Sequence, residues 1–174
     1  MKLNQVFSHN MVLQAEKRVF VFGEGEGKAC VSIDGMKAEA SSRNGKWIAE
    51  LPCHGYGGPY DMNVNLNGEE IVLRNVYFGD VVLLAGQSNL QLKLFETNTP
   101  ESEYETNSLV RSFILRRPEE GEFYFPEDGW IQAHKDNVGK WPAIGYLAAK
   151  EGSKRTGHAV GIIGCYQGAS MIQS

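Results

Sequence analysis

The stretch GDVVLLAGQSNLQL, residues 79–92, sets a serine where an apolar run ends in a Gly-Gln-Ser-Asn turn. A serine hydroxyl is a weak nucleophile until a base takes its proton. A turn from a buried strand into a helix helps it in two ways. It exposes the Oγ of Ser88, and free backbone N–H groups at the helix start stabilise an oxyanion. Gly86 permits the tight approach to such a turn. The same residues fit a role without chemistry. Ser88 followed by Gln91 is a Ser-x-x-Gln capping box, and these residues alone favour the cap. The Gly-x-Ser-x-Gly elbow is a poor match, because Leu90 stands where its second glycine belongs.

The other residues able to move protons or bind metals are few. His9, His54, His134 and His158 each read as a surface or loop histidine. Cys30, Cys53 and Cys165 show no metal-ligand spacing, and Cys165 reads as a small core residue in an apolar run. No metal site is expected. An odd cysteine count without a visible secretory signal points to reduced thiols and a cytoplasmic chain, or a secreted one if a signal has been trimmed. The net charge of -4 has no long basic or acidic run behind it, which argues against nucleic acid and anionic membrane surfaces. No apolar stretch approaches the roughly 20 residues that span a bilayer.

The elements around the serine fall into two rhythms. Residues 1–76 carry short β-prone runs at 19–22, 29–33, 46–51, 60–66 and 71–76, separated by turn signals at Asp34-Gly35, Asn44-Gly45, Gly57-Gly58-Pro59 and Asn67-Gly68. Asp-Gly and Asn-Gly favour tight hairpins because both turn positions take positive φ. The pattern predicts an antiparallel β-sandwich. Residues 77–174 follow a strand–helix–strand order typical of a parallel α/β sheet. Val81–Ala85 reads as a strand covered on both faces, Val110–Leu115 and Ala159–Cys165 as further strands. Pro142–Lys154 reads as a helix with Pro142 in its first turn and Ile144, Leu147 and Ala148 on one face. Residues 96–108 read as a surface loop, and ASMIQS after Gly168 as a helix start.

GDVVLLAGQSNLQL resembles the nucleophile block of SGNH hydrolases, and more narrowly that of the sialate O-acetylesterase family. Leu83 replaces the family's usual tryptophan and Leu90 its usual methionine. FSHNMVLQ, GGPYDMNVN with NVYFGD, WPAIGYLAAKE and VGIIGCYQGASMIQS are similar, in order, to further blocks of that family. The resemblance implies an α/β fold in which the sandwich precedes the first part of a parallel three-layer sheet. It implies Ser88 as nucleophile, with the Ser88 and Gly168 N–H groups as oxyanion donors, although Gln167, Ala169 and Ser170 depart from the family's Gly-Gly-Thr segment. Gln87 and Asn89 would orient the site or contact substrate. The expected reaction removes O-acetyl groups from a carbohydrate through an acetyl-enzyme, with no cofactor.

The family's base is a histidine in an Asp-x-x-His segment, and no such segment occurs. The residues three before the histidines are Val6, Leu51, Ile131 and Arg155. The chain is therefore expected to be the N-terminal part of a longer enzyme, inactive alone. Its partner would be the C-terminal remainder, in cis or as a second chain, and an oligomer is possible. The alternative from another class is a non-catalytic carbohydrate-binding or interaction module, with Trp47, Tyr56 and Tyr60 as candidate stacking platforms for sugar rings.

Overall fold

The computed structural model describes residues 1–115 and 125–168, which divide into two compact units, Met1–Gly79 and Asp80–Ser174. The helix expected from ASMIQS lies outside the described residues.

The first unit contains β1 (Lys2–Leu3), β2 (Val12–Gln14), β3 (Val19–Glu24), β4 (Lys28–Ile33), β5 (Met36–Ser41), β6 (Lys46–Leu51), β7 (Gly57–Leu66) and the start of β8 (Glu69–Gly86). One sheet has the order β1-β3-β6, and the other the order β8-β7-β4-β5. Period-two alternation decides which residues point inward. In β6, Trp47, Ala49 and Leu51 are buried while Ile48 and Glu50 are exposed. Val31, Ile33, Met62 and Val64 complete the opposing inner face. Asp34-Gly35, Asn44-Gly45 and Asn67-Gly68 all take positive φ at both positions, as the hairpin reading requires.

Three details of this unit differ from the sequence reading. Gly57-Gly58-Pro59 is the irregular start of β7 rather than a free turn, and the register shifts there absorb it. The runs at 71–76 and 81–85 belong to one strand, β8, because the intervening residues stay extended. The pairing is not wholly antiparallel: β2 lies parallel to β8, with Val12 opposite Tyr77.

In the second unit β8 ends at Gly86 and is followed by α1 (Ser88–Gln91), β9 (Asn107–Ile114), β10 (Ile131–Ala133), α2 (Ala143–Thr156) and β11 (Val160–Tyr166). The order is β10-β9-β11-β8, with β11 parallel to both neighbours and β10 antiparallel to β9. The mixed α/β class is therefore as expected. Residues 96–108 hold a short 3-10 turn at Glu101–Glu103 and the start of β9.

The α2 face that packs is not the expected one. Ala143, Gly145, Tyr146, Ala149, Lys150 and Ser153 are buried, while Ile144 is 52% exposed. Small residues let the helix approach the sheet closely: a Cβ on Gly145 would stand 2.4 Å from Leu84 Cδ1. Pro142 is the N-cap residue, and Gly157 closes the helix in the left-handed region at φ 71°.

Two polar groups on that face fix the 103–105 segment. The Tyr146 hydroxyl donates to Glu103 O at 2.9 Å and accepts from Glu105 N–H at 2.9 Å. The Lys150 ammonium donates to Glu103 O at 3.1 Å and pairs with the Glu103 and Glu105 carboxylates. Burial disfavours this charge, but the two carboxylates outweigh burial and raise its pKa.

The expectation that Val81–Ala85 is covered on both faces does not hold among the described residues. Leu84 is buried, but Val82 is 42% and Leu83 62% exposed. Cys165 is likewise half-buried rather than a core residue.

Candidate active site

Ser88 stands just beyond the C-terminal end of β8, with Gln87 between them. The role of the turn differs from the capping reading. The N-cap residue is Gln87, and it makes no side-chain cap hydrogen bond. Ser88 is the first residue of α1, so its hydroxyl is not the cap, and the Ser88–Gln91 box does not form. Backbone bonds alone close the turn: Leu90 N and Gln91 N donate to Gln87 O, and Leu92 N donates to Ser88 O at 3.0 Å. Leu90 anchors the turn from below. It packs against the second unit's core, and a Cβ on Gly86 would meet Leu90 Cδ1 at 2.9 Å. An added methyl group at 86 would press on the Leu90 side chain.

Parallel pairing brings the second sequence-predicted element to the serine. Cys165 lies opposite Ala85 and Tyr166 opposite Gly86, and Gln167 N donates to Gly86 O at 3.0 Å. This register carries Gly168 alongside α1. A Cβ on Gly168 would stand 3.6 Å from Ser88 Cα and 2.6 Å from Gln91 Oε1. The Gly168 N–H already has an acceptor, Gln91 Oε1, at 2.6 Å. Burial pushes the Tyr166 phenol up to about 12, so it is a neutral group at this end of the sheet.

Gln87, Ser88 and Asn89 are all exposed. A cleft of about 240 Å³ opens beside them, lined by Ser88, Gln91, Leu92, Lys93 and Glu96. Lys93 N donates to Glu96 Oε2 at 2.8 Å, which holds that carboxylate at the rim. The sequence reading missed Gln91, Lys93 and Glu96 as site residues. Gln91 carried a signal, but one that pointed to capping.

The histidines are not brought to Ser88 within the second unit. His158 precedes β11, whose Val160 pairs with Asp80, whereas Ser88 follows Gly86 at the other end of the same parallel pair. Seven strand residues separate those ends, about 20 Å at the usual rise. His134 follows Ala133, which pairs with Asn107 at the start of β9, again at the far end. His134 Nδ1 contacts its neighbour Asp136 at 3.1 Å. In the first unit, His9 Nδ1 accepts from Arg74 N. His54 is more than a surface residue: it pairs with Asp34 at 2.9 Å and stacks on Phe78 with centroids 4.2 Å apart.

The candidate sugar platforms fare unequally. Trp47 is 1% exposed and belongs to the sandwich core. Tyr60 is half-buried against His54 and Phe78, and Tyr56 is exposed. The cysteines are free thiols. Among the described residues no group of three or more His, Cys, Asp or Glu side chains is arranged to hold a metal ion, and no helix is long and apolar enough to cross a membrane.

No family model matches the sequence, and no curated protein matches it significantly. Among solved structures, the fold is similar to the crystal structure of a carbohydrate acetylesterase from Xanthomonas citri, with a TM-score of 0.87 and 30% sequence identity. The match covers 98% of this chain and 41% of that protein. The chain therefore shares the fold of part of that acetylesterase and spans less than half of its length.

Proposed function

We propose that this chain is the nucleophile-bearing portion of a carbohydrate O-acetylesterase, of the sialate O-acetylesterase group of SGNH hydrolases. The observation that carries the reading is the pairing of an exposed Ser88 at the end of β8 with Gly168 beside it. The likeness to a carbohydrate acetylesterase over nearly the whole chain supports it.

In this mechanism Ser88 Oγ attacks the acetyl carbonyl of an acetylated sugar while a histidine accepts its proton. The histidine and its aspartate belong to the C-terminal remainder of the enzyme, in cis or on a second chain. The N–H groups of Ser88 and Gly168 donate to the tetrahedral oxyanion. The intermediate collapses to an acetyl-enzyme as the histidine returns the proton to the sugar oxygen. Water, deprotonated by the same histidine, then attacks the acetyl group and releases acetate. Gln87 and Asn89 flank the nucleophile and contact the sugar. No metal or organic cofactor takes part.

The test is hydrolysis of p-nitrophenyl acetate by the full-length enzyme and its Ser88→Ala variant. The reading expects this variant to lose roughly 10³-fold or more in kcat/KM. Equal activity in both would overturn it.

A further inference from the structure

We infer that the Gln91 carboxamide is a placeholder for the substrate's acyl oxygen, occupying the Gly168 N–H until an ester displaces it. This rests on the esterase reading above and adds a residue that controls entry to its oxyanion site.

Three observations carry it. First, the Gly168 N–H is engaged by Gln91 Oε1 at 2.6 Å, beside Ser88. The acceptor position in front of this N–H, which an acyl oxygen would need as it becomes an oxyanion, is thus filled by the carboxamide oxygen. Second, the bond is not what holds either partner. The Gly168 segment is tied down by Tyr166 pairing with Gly86 and by Gln167 N donating to Gly86 O. The helix that carries Gln91 is held by its backbone bonds to Gln87 O and by Leu90 packing into the core. Third, Gln91 is exposed and lines the cleft next to Ser88, so its side chain has room to swing away.

Together these separate a placeholder from a clamp. A clamp would be the element that positions Gly168, and its loss would misplace the donor. A placeholder is a competing acceptor, and its loss frees the donor.

The experiment measures kcat and KM for p-nitrophenyl acetate with the full-length enzyme carrying Gln91→Met or Gln91→Glu. Methionine keeps the length and removes the competing oxygen. Its KM should fall roughly 2- to 10-fold, the equivalent of one net hydrogen bond, with the effect on KM rather than kcat. Glutamate presents a charged, stronger acceptor to the same N–H, and its KM should rise. Opposite shifts in KM from two substitutions at one exposed position are not expected of a residue that merely holds the turn. A fall in kcat in both variants, with KM unlowered in the methionine variant, would assign Gln91 as a clamp and overturn the inference. A wild-type enzyme without activity would overturn the esterase reading instead, and the inference with it.

Discussion

Gly168 lies so close to Ser88 that a methyl group on it would stand 3.6 Å from the Ser88 α-carbon, although 80 residues separate them in the chain. The register between β8 and β11 produces this contact. With Tyr166 opposite Gly86, the turns that leave the two parallel strands meet at the same edge. Parallel sheets commonly gather ligand and catalytic groups at the carboxyl ends of their strands.

The tightness of that contact makes Gly168→Ala informative. The Gln91 side chain can swing clear of the new methyl group, but the methyl itself would still stand 3.6 Å from the Ser88 α-carbon and crowd an acyl group brought to that serine. Misplacing a reacting group by about 1 Å costs on the order of 10²-fold in rate. We expect a fall of that order in kcat/KM, measured on an acetyl ester, with an unfolding midpoint close to that of wild type.

Gly145→Ala tests the close packing of α2 on the sheet. Its Cβ would stand 2.4 Å from Leu84 Cδ1. The Leu84 side chain must then leave its rotamer or the helix must shift, a loss of about 1–3 kcal/mol. Urea denaturation should show a lower midpoint with an unchanged slope.

Tyr146→Phe isolates the polar brace beneath the same helix. It removes a donor to Glu103 O and an acceptor for Glu105 N–H in one step. Glu103 O keeps the Lys150 ammonium as a donor, but the Glu105 N–H is left without its acceptor, which predicts a loss of about 1–3 kcal/mol, read by the same denaturation.

The charges around α2 predict an acid-side dependence. The Lys154 ammonium, 2.7 Å from Glu105 Oε1, is the main cause holding the Glu105 carboxyl below its ordinary value, and Lys150 adds to it. A depressed carboxyl pKa contributes stability that is present above its unfolded value, near 4.3, and is lost as pH falls through the folded value. The raised Lys150 pKa acts in the opposite direction, with its contribution intact below the ordinary lysine pKa and lost as pH climbs through the folded one. Lys154→Ala should therefore weaken the fall in thermal midpoint below about pH 4 while leaving the alkaline limb in place. Because Glu105 is partly exposed, the change should be small and should shrink with added salt.

Much of the sandwich was legible because its signals are local. Val19, Val21, Trp47, Ala49 and Leu51 alternate with exposed neighbours, and each Asn-Gly or Asp-Gly pair supplies the positive φ of its own hairpin. The place of Ser88 between β8 and α1 was legible for the same reason, since its turn and the apolar run before it are contiguous. The remainder depends on long-range contacts. Gln91 read as half of a capping box because it follows Ser88 at the Ser-x-x-Gln spacing, whereas its partner in space is Gly168, 77 residues away. The buried face of α2 was misread because hydrophobicity alone favoured Ile144. Close approach to Leu84 instead selects glycine and alanine, and the Glu103–Glu105 segment selects Tyr146 and Lys150. Trp47 looked available for stacking on a ligand, yet alternation along β6 turns it inward.

The central claim is that Ser88 carries the acetyl group during turnover. The most direct measurement is mass spectrometry of peptides from the full-length enzyme, acid-quenched within its first turnovers of an acetyl ester. The account predicts an acetyl group on the peptide containing Ser88, absent from the Ser88→Ala variant. Undiminished turnover with no acetyl group at Ser88, or with the acetyl group on another residue, would contradict it.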